Sequence, residues 1–165
     1  MSTPYFLTVS LHLLAALLWL GGMLFLAAVG APVLRRVEPP DLRARLFHRL
    51  GERFRTLGWW AIGVLVVTGV GNLHFRGVLD PAILTSADFW ASPFGRALAW
   101  KLAAVTAMVI VSAVHDFWLG PAAREAGRGS GRAEAMRRWA SWLARANAVL
   151  GVVVVLAAVR LARGG

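Results

Sequence analysis

The chain has 165 residues, 58% of them hydrophobic, and a net charge of +10 carried by 17 Arg and one Lys against eight acidic residues. A mean hydropathy of +0.63 lies outside ordinary soluble usage. The absence of cysteine excludes disulfides and thiolate metal sites, and the length suits a single four-helix domain over residues 1–165.

The first apolar stretch spans about residues 5–29, and roughly 20 apolar residues suffice to cross a bilayer as a helix. It has no basic leader and no small-residue cleavage site, so it reads as a retained helix. A basic segment follows, with Arg35, Arg36, Arg43, Arg45, Arg49, Arg53 and Arg55 against Glu38, Asp41 and Glu52. Pro39-Pro40-Asp41 reads as a turn and helix start with Asp41 as the N-cap. Leu42, Leu46, Leu50 and Phe54 then form one apolar stripe. That spacing predicts a short amphipathic helix at the inner membrane surface, running into a second span at about 57–74.

The connection over 75–95 holds Arg76, Asp80 and Asp88, with Asp80-Pro81 and Ser92-Pro93 as turns or helix starts and Phe89 and Trp90 as interface anchors. A third span covers about 96–119. A second basic segment holds Arg124, Arg128, Arg132, Arg137 and Arg138, and its 127–131 stretch (Gly-Arg-Gly-Ser-Gly) reads as a flexible linker. The fourth span covers about 139–161, and no internal repeat is apparent in the residues. The expected fold is all-α, an integral membrane four-helix bundle. The positive-inside rule puts both Arg-rich segments in the cytoplasm and both termini outside. The charge then reports topology and contact with the lipid bilayer rather than nucleic acid.

Ionisable groups at membrane depth are costly and mark candidate sites. At 1.5 Å per residue His12 lies about 10 Å below the outer surface, and Lys101 at a similar depth. His74 emerges at the outer rim beside Asn72, so these groups gather in the outer half, while His115-Asp116 falls near the inner end of the third span. Helical spacing puts His12, Ala16, Trp19 and Met23 on one face, and Trp60, Gly63, Val67, Gly71 and His74 on another. Lys101, Met108 and His115 recur every seven residues with Ser112 beside them, a stripe expected to point into the bundle; the fourth span offers Asn147, Gly151 and Ala158.

The glycines point to close helix approach, or alternatively to room for a flat cofactor flanked by Trp19 and Trp60. His12 is a hydrogen-bonded core histidine, a metal or haem-iron ligand, or a proton carrier. Lys101 snorkels or meets an anionic group such as a haem propionate. His74 is interfacial or a ligand, and His115-Asp116 is a solvated helix end or a second site. His48 reads as solvated, and Met23 and Met108 as packing residues or soft copper ligands.

Three stretches carry a family likeness: Leu11 to Gly22 (LHLLAALLWLGG), Phe54 through Val67-Thr68-Gly69-Val70, and Phe94 to Leu102 (FGRALAWKL). In this order they resemble the CopD family, the membrane domain named for bacterial copper resistance. The resemblance implies copper binding, uptake or delivery at the outer face of a bacterial-type inner membrane. His12 and His74 would be metal ligands, with Met23 and His115 as further candidates, and imidazole suits copper. The His in the first span and Lys in the third are also similar to those of HemJ-type haem-binding protoporphyrinogen oxidases. That likeness implies a b-type haem redox protein with His12 axial and His74 and Lys101 completing the cofactor site. A non-catalytic membrane assembly subunit is the third reading. No catalytic residue is assigned. The expected partners are a periplasmic copper or electron-transfer protein and further copies of the chain.

Overall fold

The structure, a computed structural model, describes residues 2–125 and 131–163, and every regular element among them is helical. Four helices are long and apolar enough to cross a membrane: Thr3–Leu34, Pro40–Phe75, Pro93–Ala122 and Glu134–Ala162. Large apolar side chains such as Leu14, Leu17, Trp100 and Trp118 lie exposed. In water such faces would be a liability; in a bilayer they meet acyl chains. The protein is an all-α, multi-pass membrane protein, divided into two compact units, Met1–Thr85 and Ser86–Gly165.

In the first unit α1 (Thr3–Phe25) opens with Pro4 in its first turn, where a missing N–H costs nothing. It passes through a π-helical turn, Leu26–Gly30, into α2 (Ala31–Leu34). The next long helix, α3 (Pro40–Phe75), runs antiparallel to α1. Small residues let the two backbones approach: Phe54 lies on Gly22, Trp19 faces Gly58, His12 faces Gly69 and Thr8 faces Gly71. At the end of the pair the Arg76 Nε donates to the Tyr5 hydroxyl at 3.0 Å.

The amphipathic segment is the first half of α3 and continues into the span without a break. Its apolar stripe is used for packing, Phe54 on Gly22 and Leu50 towards Gly30. The cap falls on Pro39, and Asp41 sits in the first helical turn rather than at the N-cap. Of the residues sharing the Trp60–His74 face of α3, Gly71 meets α1 while others do not. Trp60 and Val67 are 73% and 72% exposed, and Gly63 has open space beside it. Gly58, Ala61, Ile62 and Thr68 are the buried residues instead. The helix stops at Gly77, whose φ of +70° suits only glycine well. Gly77 N–H donates to His74 O and Val78 N–H to Leu73 O, which satisfies the last carbonyls as a Schellman motif. The short α4 (Pro81–Leu84) is capped by Asp80, whose Oδ1 accepts from Ala82 N at 2.8 Å.

The second unit begins with α5 (Ala87–Ala91), capped by Ser86, and α6 (Pro93–Ala113), capped by Ser92, whose Oγ accepts from Gly95 N at 3.0 Å. Gly95 is buried against the backbone of Phe89 and Trp90, leaving no room for a side chain. A second π-helical turn, Val114–Leu119, leads into α7 (Gly120–Glu125). The linker expected over 127–131 lies, but for Gly131, outside the described residues. Then α8 (Gly131–Ala162) packs along α6. Ala97, Leu98, Ala104 and Met108 of α6 are buried, as are Asn147 and Gly151 of α8. Asn147 Nδ2 donates to Ser112 Oγ at 3.0 Å. Both units therefore share one order of elements: a spanning helix, a π turn, a short helix, and a long helix whose first turns are rich in Arg.

Candidate functional site around His12

His12 lies on α1, half-buried at the contact with α3. Its Nδ1 is 2.9 Å from Thr68 Oγ1, and its ring edge fills the space that a Cβ on Gly69 would approach at 3.5 Å. Thr68 is itself buried, and its hydroxyl donates back to Val64 O at 2.6 Å. Threonine in an apolar helix makes this i−4 bond because the carbonyl is the nearest acceptor. One turn on, at Asn72, the side-chain carbonyl oxygen is buried and accepts no hydrogen bond among the described residues. Leaving such an acceptor unmade costs about 1–3 kcal/mol.

The other candidates stand apart from this cluster. His74 is six residues beyond Thr68, about 9 Å along the axis; it is exposed, with its ring edge-on to Phe75 at 5.8 Å between centroids. Met23 is eleven residues from His12, about 16 Å along α1. Lys101 and His115 belong to the second unit. Lys101 is half-buried on the face of α6 that carries Ala97, Ala104 and the 1%-exposed Met108, so the seven-residue stripe is the packing face of that helix. His115 Nδ1 pairs with Asp116 Oδ1 at 2.9 Å. Both residues lie within the π-helical turn Val114–Leu119. His48 pairs with Glu52 at 3.4 Å. Among the described residues no group of three or more His, Asp or Glu gathers as a ready-made metal cage.

Thr68, the partner of His12, and Asn72, one turn further along α3, do not stand out in the sequence. Thr68 was visible only as part of a Thr-Gly-Val run, and Asn72 only as a neighbour of His74. The signal that would have found them is their four-residue spacing on one face of the otherwise apolar stretch from Leu57 to Leu73.

The family model described as Copper resistance protein D matches residues 48–161. The chain belongs to the copper resistance protein D family. The CopD match begins within α3 and runs nearly to the end of α8. It takes in Thr68, Asn72, Lys101 and His115, and leaves α1 with His12 outside. An uncharacterized protein of Aquifex aeolicus (strain VF5) is 33% identical over 156 residues, covering 93% of this chain and 92% of its own. That similarity extends over nearly the whole CopD-family chain. No solved structure matches.

Proposed function

We propose that this CopD-family protein handles copper as cargo in a bacterial-type inner membrane, taking it at the outer face, with His12 as the first ligand it meets. The observation that carries the reading is the half-buried imidazole of His12, held at one nitrogen by Thr68 inside an apolar helix pair. A polar ring at membrane depth is expensive to keep without a task, and imidazole is a good copper donor in a chain without thiolates. With the Arg-rich segments cytoplasmic, the N-terminal end of α1 is outside. His74, at the outer end of α3, would be a passing ligand at the rim rather than a partner of His12 in one shell. A periplasmic copper carrier is the partner this arrangement suits.

Gly58, Gly69 and Gly71 face Trp19, His12 and Thr8, which supports helix approach as their role and favours copper over a b-type haem seated at those positions.

The test is metal analysis and an absorption spectrum on one purified sample in detergent, before and after copper loading. Stoichiometric copper without a Soret band, lost in His12→Ala, is the expected result. A Soret band abolished by His12→Ala would replace copper with haem. A protein that takes up neither would leave a structural membrane subunit as the account of the fold.

A further inference from the structure

A groove on α8 combines positive charge with aromatic walls. It is open to the outside, holds about 530 Å³, and is lined by Ala135, Arg138, Trp139, Trp142, Leu143 and Ala146. These positions recur at three- and four-residue steps, so they form one stripe of the helix. Trp139 and Trp142 are 65% and 66% exposed, so no described part of the protein covers them. The stripe spans the change from the second Arg-rich segment to the apolar run at about 139–161. Tryptophan is enriched at such a boundary, where its ring sits at headgroup level.

Arg145 adds a second charge. It is six residues beyond Trp139, roughly 9 Å into the apolar run, where an unanswered charge is costly. Side chains on a helix lean towards its N-terminus. The Arg145 guanidinium accordingly lies 5.8 Å from the centroid of the Trp142 ring, turned back towards the groove. A ring face attracts a cation but does not neutralise it. Among the described residues no carboxylate pairs with Arg138 or Arg145, not even Glu134, one turn before Arg138.

We propose that this groove binds one anionic phospholipid, its phosphate held by Arg138 and Arg145 and its acyl chain lying along Leu143 and Ala146. Every outward face of a spanning helix touches lipid; what the two arginines add is selection of the headgroup. Charge complementarity favours a lipid over a second copy of this chain, which in a two-fold contact would bring the same arginines to the same patch. The site does not depend on the copper reading.

The experiment is native mass spectrometry of the full chain, titrated in detergent with phosphatidylglycerol or with phosphatidylcholine of the same acyl chains. Wild type should retain phosphatidylglycerol in preference to phosphatidylcholine. Arg138→Gln and Arg145→Gln should each weaken phosphatidylglycerol binding about fivefold, the usual worth of one arginine at an anionic surface, and leave phosphatidylcholine unchanged. Both side chains are exposed, so neither substitution disturbs the packed face of α8. Arg49→Gln makes the same charge change at an exposed position of α3 and should alter neither lipid. An equal loss in Arg49→Gln would reduce the effect to the net charge of the chain and overturn the site, as would equal affinity of wild type for the two lipids. Displacement of the lipid by inorganic phosphate would overturn it in favour of a soluble anion. A dimer in the same spectra that is lost in Trp142→Leu, with no preference for phosphatidylglycerol, would give the groove to a second copy of the chain.

Discussion

In the first unit the polar contact between the long helices is an imidazole on a hydroxyl, His12 with Thr68. In the second it is an amide on a hydroxyl, Asn147 with Ser112. Both contacts sit in apolar helix pairs built on the same order of elements, and each helps to fix how its two helices meet. Only the first contains a group that can bind a metal or a proton. The amide contact is thus an internal control for the imidazole contact: an effect that both share reports architecture, and an effect confined to His12 tests the proposed copper role. The units also differ in how their glycines are used. In the first, the glycines of the α1–α3 contact face side chains of the other helix, while Gly95 in the second faces a backbone carbonyl.

The largest expected effect breaks the second unit alone. Gly95→Ala drives a methyl group into the Phe89 carbonyl, which sits in a capped turn and has nowhere to go. Overpacking of this kind costs typically 1–3 kcal/mol and occasionally more, and a loss near about 3 kcal/mol is expected at this site. Gly22→Ala, whose methyl meets the movable ring of Phe54, should cost less. Gly69→Ala, with only an ordinary contact to the His12 ring, should cost least. Thermal unfolding in detergent orders the three; a Gly95→Ala protein as stable as Gly69→Ala would show that the α5–α6 turn is not rigid.

The next effect tests the two polar contacts against each other. Interhelical hydrogen bonds in membranes average about 0.6 kcal/mol and reach about 1.7. Ser112→Ala and Thr68→Val should therefore lower stability by similar amounts, on the order of 1 kcal/mol each. Copper retention should fall only in Thr68→Val. If Ser112→Ala lost copper as well, the loss would be a stability effect, and the contrast between the units would collapse. His12→Ala should abolish retention while costing no more stability than Thr68→Val.

Much of this architecture was legible in the residues. Four apolar runs, the Arg-rich segments and the Ser92-Pro93 helix start are local signals, and the structure has helices at each run and a cap at Ser92. The stripe Lys101–Met108 was legible because a seven-residue repeat keeps one face on a packing partner. The face of α3 was not. Its polar and aromatic residues drew the reading to Trp60 and Val67, but small residues decide where two membrane helices touch, because lipid accepts an exposed Trp as readily as protein does. The shared build of the two units was hidden for a related reason: it lies in the order of helices, π turns and Arg-rich helix starts rather than in matching residues. The His12–Thr68 contact required knowing which residue of another helix lies opposite His12, and no spacing along one helix supplies that.

The smallest effect on stability should come from Asn72, and it is the one that separates function from architecture most sharply. Its Oδ1 is buried and accepts no hydrogen bond among the described residues, so the amide gains little from being where it is. Replacing a polar group that lacks its partner by an apolar one of similar size is nearly neutral or stabilising. Asn72→Leu should therefore leave thermal stability unchanged or slightly raised, unlike Asn147→Leu, which removes a bonded amide and should cost about 1 kcal/mol. If Asn72 is kept for an oxygen donor one turn from Thr68, Asn72→Leu should still weaken copper retention. A stabilised protein that holds less copper would assign Asn72 to the His12 site. A destabilised protein with normal copper retention would return Asn72 to the packing between helices and leave His12 and Thr68 as the whole of the site in the first unit.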